Sequence, residues 1–318
     1  MISYLENHQI DFEKWDDCIE RSLNGIFYAY SWYLDMTAPG WAALVEGDYE
    51  TVMPLPSRKK LGINYVYQPF FVQQLGIFST KSLLPEVTMR LLNAIPRNYR
   101  FADLNLNTYN QANEEFGIKT ANRITHHLDL IEPYEQIVQR YSTNTRRNIK
   151  KAEKAGVFVT SHGRPEEIIE TFRNNRGREL KAFSEGDYKV LKHLIYSGMH
   201  RGMVTIMSAY TLENNFCAGI VFFQSHKKTV FLFSGSTPQA RENGAMFMLV
   251  DAFIMEMAGK ELVLDFEGSS DPQLARFYKG FGSKECVFLQ IEINRMPFGL
   301  RQLAGLYRRL QKKKRTVS

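Results

Sequence analysis

The sequence predicts an α/β protein with mixed sheets, built as two domains of similar element order. Three observations point there. At 318 residues the chain is long enough for two domains, each with its own core. The second half alternates strand and helix periodicities in the order β, α, α, β, β, β, α, β, α, β. The first half gives a blurred version of that order with no residue-level repeat, so the likeness lies in elements alone.

In the first half, residues 2–5 read as a strand, and 12–23 and 31–36 have helical spacing. Segments 41–46 and 49–54 pair across Gly47-Asp48, a hairpin signal. A third strand follows at 63–68, a helix at 83–94, and strands at 101–106 and 124–130. Glu132-Pro133 is the expected domain boundary, giving domains over 1–133 and 134–294.

The second half opens with a capped helix over 143–156 and a short strand at 157–160. Helices are expected at 165–181 and 187–200. Strands at 204–212, 216–224 and 229–236 form a meander, with Asn214-Asn215 as its first turn. A helix over 242–257, a strand at 262–267, a short helix after Asp271 and a strand at 287–293 complete the domain. A last helix, 298–310, carries Leu300, Leu303, Tyr307 and Leu310 on one stripe.

Composition narrows the function classes. Hydrophobic residues at 44% and charged residues at 23% suit a soluble globular protein. Cys18, Cys217 and Cys286 lie too far apart in sequence for a disulfide framework or a thiolate metal site, so a reducing cytoplasm is expected. The first 24 residues hold no signal-peptide apolar run, and no uncharged stretch could span a bilayer. The net charge of +6 concentrates at 146–154 and 308–315. Such patches suit phosphate-bearing partners such as CoA, UDP-linked sugars or tRNA, or peripheral contact with an anionic membrane surface. Oligomeric state is not readable from this chain.

The densest chemistry lies at 262–282. A buried strand ends in Asp265 and Glu267, whose alternation places both on one face. Asp271 caps the next helix and Pro272 fits its first position. That helix projects Arg276, Tyr278 and Lys279 before Gly280 and Gly282 stop it. Strand end and helix start thus gather acid, phenol and ammonium groups around one expected cavity, the kind of crevice where α/β proteins bind ligands. Glu267 or Asp265 could accept a proton from an attacking amine, or one could pair with Arg276.

On the helix over 143–156, Arg146, Arg147, Lys150, Lys151 and Lys154 fall within an arc of about 140°, with Ile149, Ala152 and Ala155 opposite. Arg146, Lys150 and Arg276 are the cations expected to meet substrate. In the first domain, residues 65–76 combine aromatics with Gln68, Gln73 and Gln74, three amides that could line an acceptor cleft between domains. His126-His127 sits in a strand, so its rings point to opposite faces and cannot share a metal; no metal site is expected.

Tyr278 to Gly282 resembles the "tyrosine, three residues, glycine" close of GNAT acyltransferases. Asp265-Phe-Glu-Gly, with Phe277-Tyr-Lys-Gly-Phe-Gly282, resembles the FemABX peptidyltransferases. Arg146-Arg-Asn-Ile-Lys-Lys-Ala-Glu-Lys154 resembles the stretch opening their second domain. On these motifs the chain is identified as similar to both. The resemblance implies tandem GNAT-like domains, with the C-terminal helix returning to the first. It implies that Tyr278 protonates a departing group and that the Lys279 ammonium steadies negative charge. It also implies a pyrophosphate loop of Ser236, Arg241, Asn243, Gly244 and Ala245 for acyl-CoA, although Met246 stands where a small residue belongs.

The activity so implied is N-acyl transfer from acyl-CoA to an amine in cell-envelope or sugar metabolism, without a permanent cofactor. The alternatives are aminoacyl transfer from tRNA to a peptidoglycan precursor, and a non-catalytic ligand-binding protein on a GNAT scaffold.

Overall fold

The computed structural model describes residues 1–60, 62–115, 117–180, 183–268 and 271–296. The helix expected over 298–310, and its return to the first domain, lie outside the described residues. The chain folds into two compact units. One takes Met1–Arg123 with the described residues from Val287 on, and the other takes Ile124–Cys286.

In the first unit, β1 (Ile2–Leu5), β2 (Ala42–Glu46), β3 (Thr51–Leu55) and β6 (Phe78–Ser79) form a sheet in the order β1-β2-β3-β6. The expected hairpin is present. Glu46 pairs with Thr51, and the turn between them takes left-handed residues at Gly47 and Tyr49. Strands β4 (Ser57–Lys60), β5 (Ile63–Val66), β7 (Tyr99–Asn105) and β14 (Lys284–Asn294) are neighbours in that order. Helix α1 (Phe12–Arg21) packs on β3, β6 and α2 (Ser31–Thr37), while α3 (Pro85–Ala94) gives Met89, Leu91 and Leu92 to the core. Packing around α1 and α2 is aromatic. Trp15 meets Trp41 edge-to-face at 4.6 Å, and its indole N–H donates to the Ala29 carbonyl.

The second unit begins within β8 (Ile118–Asp129) and orders its strands β8-β13-β12-β11-β10-β9. These are β9 (Phe158–Thr160), β10 (Val204–Tyr210), β11 (Phe216–Ser225), β12 (Lys228–Ser236) and β13 (Val263–Asp265). Its helices are α4 (Tyr134–Gln139), α5 (Thr143–Lys154), α6 (Pro165–Asn174), α7 (Arg176–Leu180), α8 (Glu185–His200), α9 (Pro238–Asn243), α10 (Ala245–Met257) and α11 (Pro272–Lys279). The meander from β9 to β12 is antiparallel throughout, with its first turn at Asn214 as expected. The fold class is the α/β mixed-sheet class that the element order predicts.

One expected helix is broken. In place of a single helix over 165–181, Asn175 turns its side chain back to the Thr171 carbonyl and leaves helical geometry, separating α6 from α7.

The feature that positions the site is a divergence of strands. β13 runs parallel to β12, but pairing stops at Val230 and Asp265, while β12 continues to Ser236. The opening is filled by an aromatic stack. Phe266 lies over Tyr278 at 4.8 Å, with Phe231 and Phe281 alongside.

Candidate active site

The site grows from the end of β13. Phe266 donates its backbone N–H to His126 and buries its ring completely. Glu267 then adopts φ of 56°, a left-handed conformation that disfavours any residue with a Cβ. β13 ends at Asp265, so the strand alternation from which the sequence placed both acids on one face does not extend to Glu267.

The two acids occupy opposite electrostatic settings. Asp265 is 1% exposed and receives four donors. Its Oδ2 meets His127 Nε2 at 3.0 Å and Lys228 Nζ at 3.6 Å, while its Oδ1 accepts the Thr125 hydroxyl and the Glu267 backbone N–H at 3.0 Å. Burial alone would raise its pKa, but His127, Lys228 and Thr125 together hold it well below the usual carboxylate range. Such a carboxylate is a poor proton acceptor. Its ion partners are His127 and Lys228, and the pairing with Arg276 considered from sequence is not the one found.

Glu267 is the reverse case. Although the residue as a whole is half-buried, its carboxyl Oε1 is closed to solvent and meets no hydrogen-bond partner among the described residues. Burial raises its pKa well above the ordinary glutamate value. Burial therefore favours its protonated form, an acid able to give a proton and take one back.

Tyr278 stands on α11 as the sequence predicts. Asp271 caps this helix by accepting the Gln273 N–H at 2.8 Å, and Pro272 sits in its first turn. The Tyr278 ring is buried against Phe266 and Phe231, and burial followed by the Glu267 charge drives the phenol pKa upward. It stays a neutral hydrogen-bond donor across the physiological range. Lys279 projects outward to an exposed pair with Glu285 at 2.6 Å, and Arg276 is exposed on the same helix.

The start of α10 is crowded where the pyrophosphate loop was expected. Gly244 is left-handed and buried, and a Cβ placed on it would fall 2.4 Å from the Asn148 carbonyl oxygen of α5. The Asn243 side chain accepts the Ala245 N–H at 3.0 Å, occupying a first donor of α10. Ala245 is fully buried, Ser236 ends β12, and Arg241 is exposed. A helix N-terminus free to take phosphates offers open amides; here a side-chain acceptor and a backbone carbonyl crowd that end.

Helix α5 has the predicted division only in part: Ala152 is buried and Ile149 half-buried, but Ala155 is exposed. Ser142 caps it by accepting the Thr145 N–H, and Thr145 and Ala152 are buried. Arg146 is diverted, because its guanidinium donates to the Gln139 carbonyl at the end of α4. Lys150, Lys151 and Lys154 are exposed, with no ion pair among the described residues.

The three glutamines stay within the first unit. Gln68 bridges the Val72 carbonyl and the Asn105 N–H, and Gln74 is 1% exposed and donates to Gln73. Gln68 and Gln74 are thereby built into the loop between β5 and β6.

Sequence reasoning missed His127 as the partner of Asp265. The two residues sit opposite each other in the β8–β13 ladder but 138 positions apart in the chain. An acid in one strand and a histidine in another were the only signal available.

No model of a known protein family matches the chain, and no curated protein matches its sequence. Solved structures do match. FemX aligns over 94% of this chain and 99% of its own, with a TM-score of 0.66 at 12% identity. The C-terminal domain of a putative lysylphosphatidylglycerol synthetase from Agrobacterium fabrum aligns over 90% and 92%, with a TM-score of 0.55 at 9% identity. L-PGS from Bacillus licheniformis aligns over 95% and 97%, with a TM-score of 0.52 at 13% identity. The chain has the FemX fold, of the GNAT- and FemABX-related type.

Proposed function

We propose that this FemX-like fold carries an acyltransferase, in which Glu267 moves the proton that acyl transfer to an amine requires. The carrying observation is Glu267 Oε1, closed to solvent and without a hydrogen-bond partner among the described residues, on a left-handed residue whose charge acts on the Tyr278 phenol. Such an arrangement destabilises the fold and needs a compensating use. The acceptor nitrogen attacks the acyl carbonyl carbon and loses a proton, while the bond to the leaving oxygen or sulfur breaks and that atom gains one. Glu267 supplies the leaving atom's proton and recovers the one from nitrogen. Tyr278 donates a hydrogen bond to the developing oxyanion. Lys279 supports charge on the leaving group, since an exposed ion pair with Glu285 costs little to open.

The donor this geometry favours is an aminoacyl ester on tRNA. Lys150, Lys151 and Lys154 give a polyphosphate chain a cationic face. The crowded start of α10 disfavours the pyrophosphate of acyl-CoA. Exposed Arg241 beside that helix supports acyl-CoA as the second reading. The acceptor is an amine on a sugar-peptide precursor. Calorimetry with charged tRNA, acetyl-CoA and UDP-MurNAc-pentapeptide separates the readings. Micromolar binding of charged tRNA supports the first, binding of acetyl-CoA the second, and binding of the precursor alone a non-catalytic protein.

A further inference from the structure

Asp265 was the sequence's other candidate for proton transfer, yet all its oxygens face donors. Four donors converge on one carboxylate, from Thr125 and His127 on β8, Lys228 on β12, and the Glu267 backbone. A carboxylate held from two neighbouring strands and its own following turn cannot turn to a substrate. It can hold a backbone. The Glu267 N–H it receives belongs to the residue with φ of 56°. Left-handed geometry at glutamate and a buried carboxyl oxygen without a partner among the described residues are each unfavourable, so both need a fixed support.

We propose that Asp265 and His127 are positioning residues for Glu267, fixing the left-handed turn that keeps its carboxyl out of water. The chain of contacts runs from the His127 ring to Asp265 Oδ2, through Asp265 Oδ1 to the Glu267 N–H, and so to the Glu267 carboxyl. Thr125 and Lys228 keep Asp265 from rotating away. The Tyr278 phenol on α11 is electrostatically coupled to Glu267, and Asp271 at the start of α11 and Asp265 act on the same phenol. Lost support at His127 or Thr125 frees residue 267 to return to right-handed backbone and its carboxyl to reach solvent. This inference rests on the reading of Glu267 as the proton carrier, but its first readout does not need turnover.

The test follows the carboxyl carbon of Glu267 by 13C NMR titration in the full chain, in wild type and in His127→Ala, His127→Gln and Thr125→Val. Thermal melting shows that each variant is folded. The expected result is a raised midpoint in wild type, which falls by about one pH unit or more in His127→Ala and Thr125→Val. His127→Gln, which keeps an N–H donor for Asp265, recovers most of it. The pH–rate profile moves in parallel, with turnover in His127→Ala down about tenfold or more. An unchanged Glu267 midpoint in folded His127→Ala and Thr125→Val overturns the inference. Glu267→Gln separates the two claims. Full turnover in that variant with moving midpoints removes the catalytic reading and leaves the positioning intact; lost turnover with fixed midpoints does the opposite.

Discussion

Gly280 lies against Thr145, and a Cβ on Gly280 would come within 2.5 Å of the Thr145 Oγ1. The Gly280 carbonyl also accepts the Ser142 N–H at 2.8 Å. The start of α5 and the end of α11 therefore touch, although they lie more than a hundred residues apart. These are the two segments whose motifs stood out in the sequence. Their glycine is a packing requirement, since Gly280 itself has ordinary helical dihedrals. The contact also seats the helix that carries Tyr278.

Gly280→Ala is expected to destabilise the fold by about 1–3 kcal/mol, because neither Thr145 nor the Phe277 carbonyl can move aside cheaply. Urea denaturation measures the loss. Thr145→Ala removes the nearest obstacle, so the double variant should lose less than the sum of the singles. Additive losses would contradict the contact.

Charge reversal on α5 should weaken tRNA binding without unfolding the protein. Lys150 and Lys154 are exposed and one helical turn apart. Lys150→Glu with Lys154→Glu should lower affinity for charged tRNA and flatten its salt dependence by about 0.7–0.9 per lost phosphate contact. Titration at several salt concentrations reads this directly. An unchanged slope removes α5 from the donor site.

Acid stability should report the Asp265 cluster. Its folded pKa lies below its unfolded value of about 3.9, so the stability it contributes is full above that pH. That contribution is lost as pH falls through the folded value. Asp265→Asn should cost about 3–5 kcal/mol at pH 7, where the charged donors lose their partner. The two unfolding curves should converge in acid. Parallel curves from pH 7 to pH 2 would show that the ion cluster carries little of the stability.

The Tyr278 hydroxyl and the Lys279 ammonium should matter to turnover more than to folding. Tyr278→Phe keeps the ring stacked on Phe266 and removes only the donor, so a rate loss of about a hundredfold is expected with the melting temperature near wild type. Lys279→Ala breaks one exposed ion pair and should likewise spare folding. Full turnover in either variant removes that residue from the reaction.

Much of the fold was legible because its signals are local. The cap at Asp271, the turn at Asn214 and the two-faced α5 each depend on residues within one or two turns of chain. Three things were not. The strand β4, with sequence Ser57-Arg-Lys-Lys60, is not among the expected strands: it lacks an apolar pattern because it pairs only with β5 at the end of its sheet, where cations are tolerated. The left-handed backbone at Glu267 has no sequence signature in a glutamate, so simple alternation placed both acids on one face. The link from Asp265 to His127 arises only when β8 and β13 pair, which no short window reveals.

The measurement closest to the central claim pairs turnover with thermal melting of Glu267→Gln across pH. The folded pKa of Glu267 lies above its unfolded value of about 4.3, so the buried acid destabilises the fold increasingly as pH rises from there toward the folded value. A neutral amide escapes that cost. Glu267→Gln should therefore melt higher than wild type at pH 8, lose the advantage near pH 4, and transfer no acyl group. Full turnover, or a melting temperature below wild type throughout, would contradict a buried acid kept for catalysis.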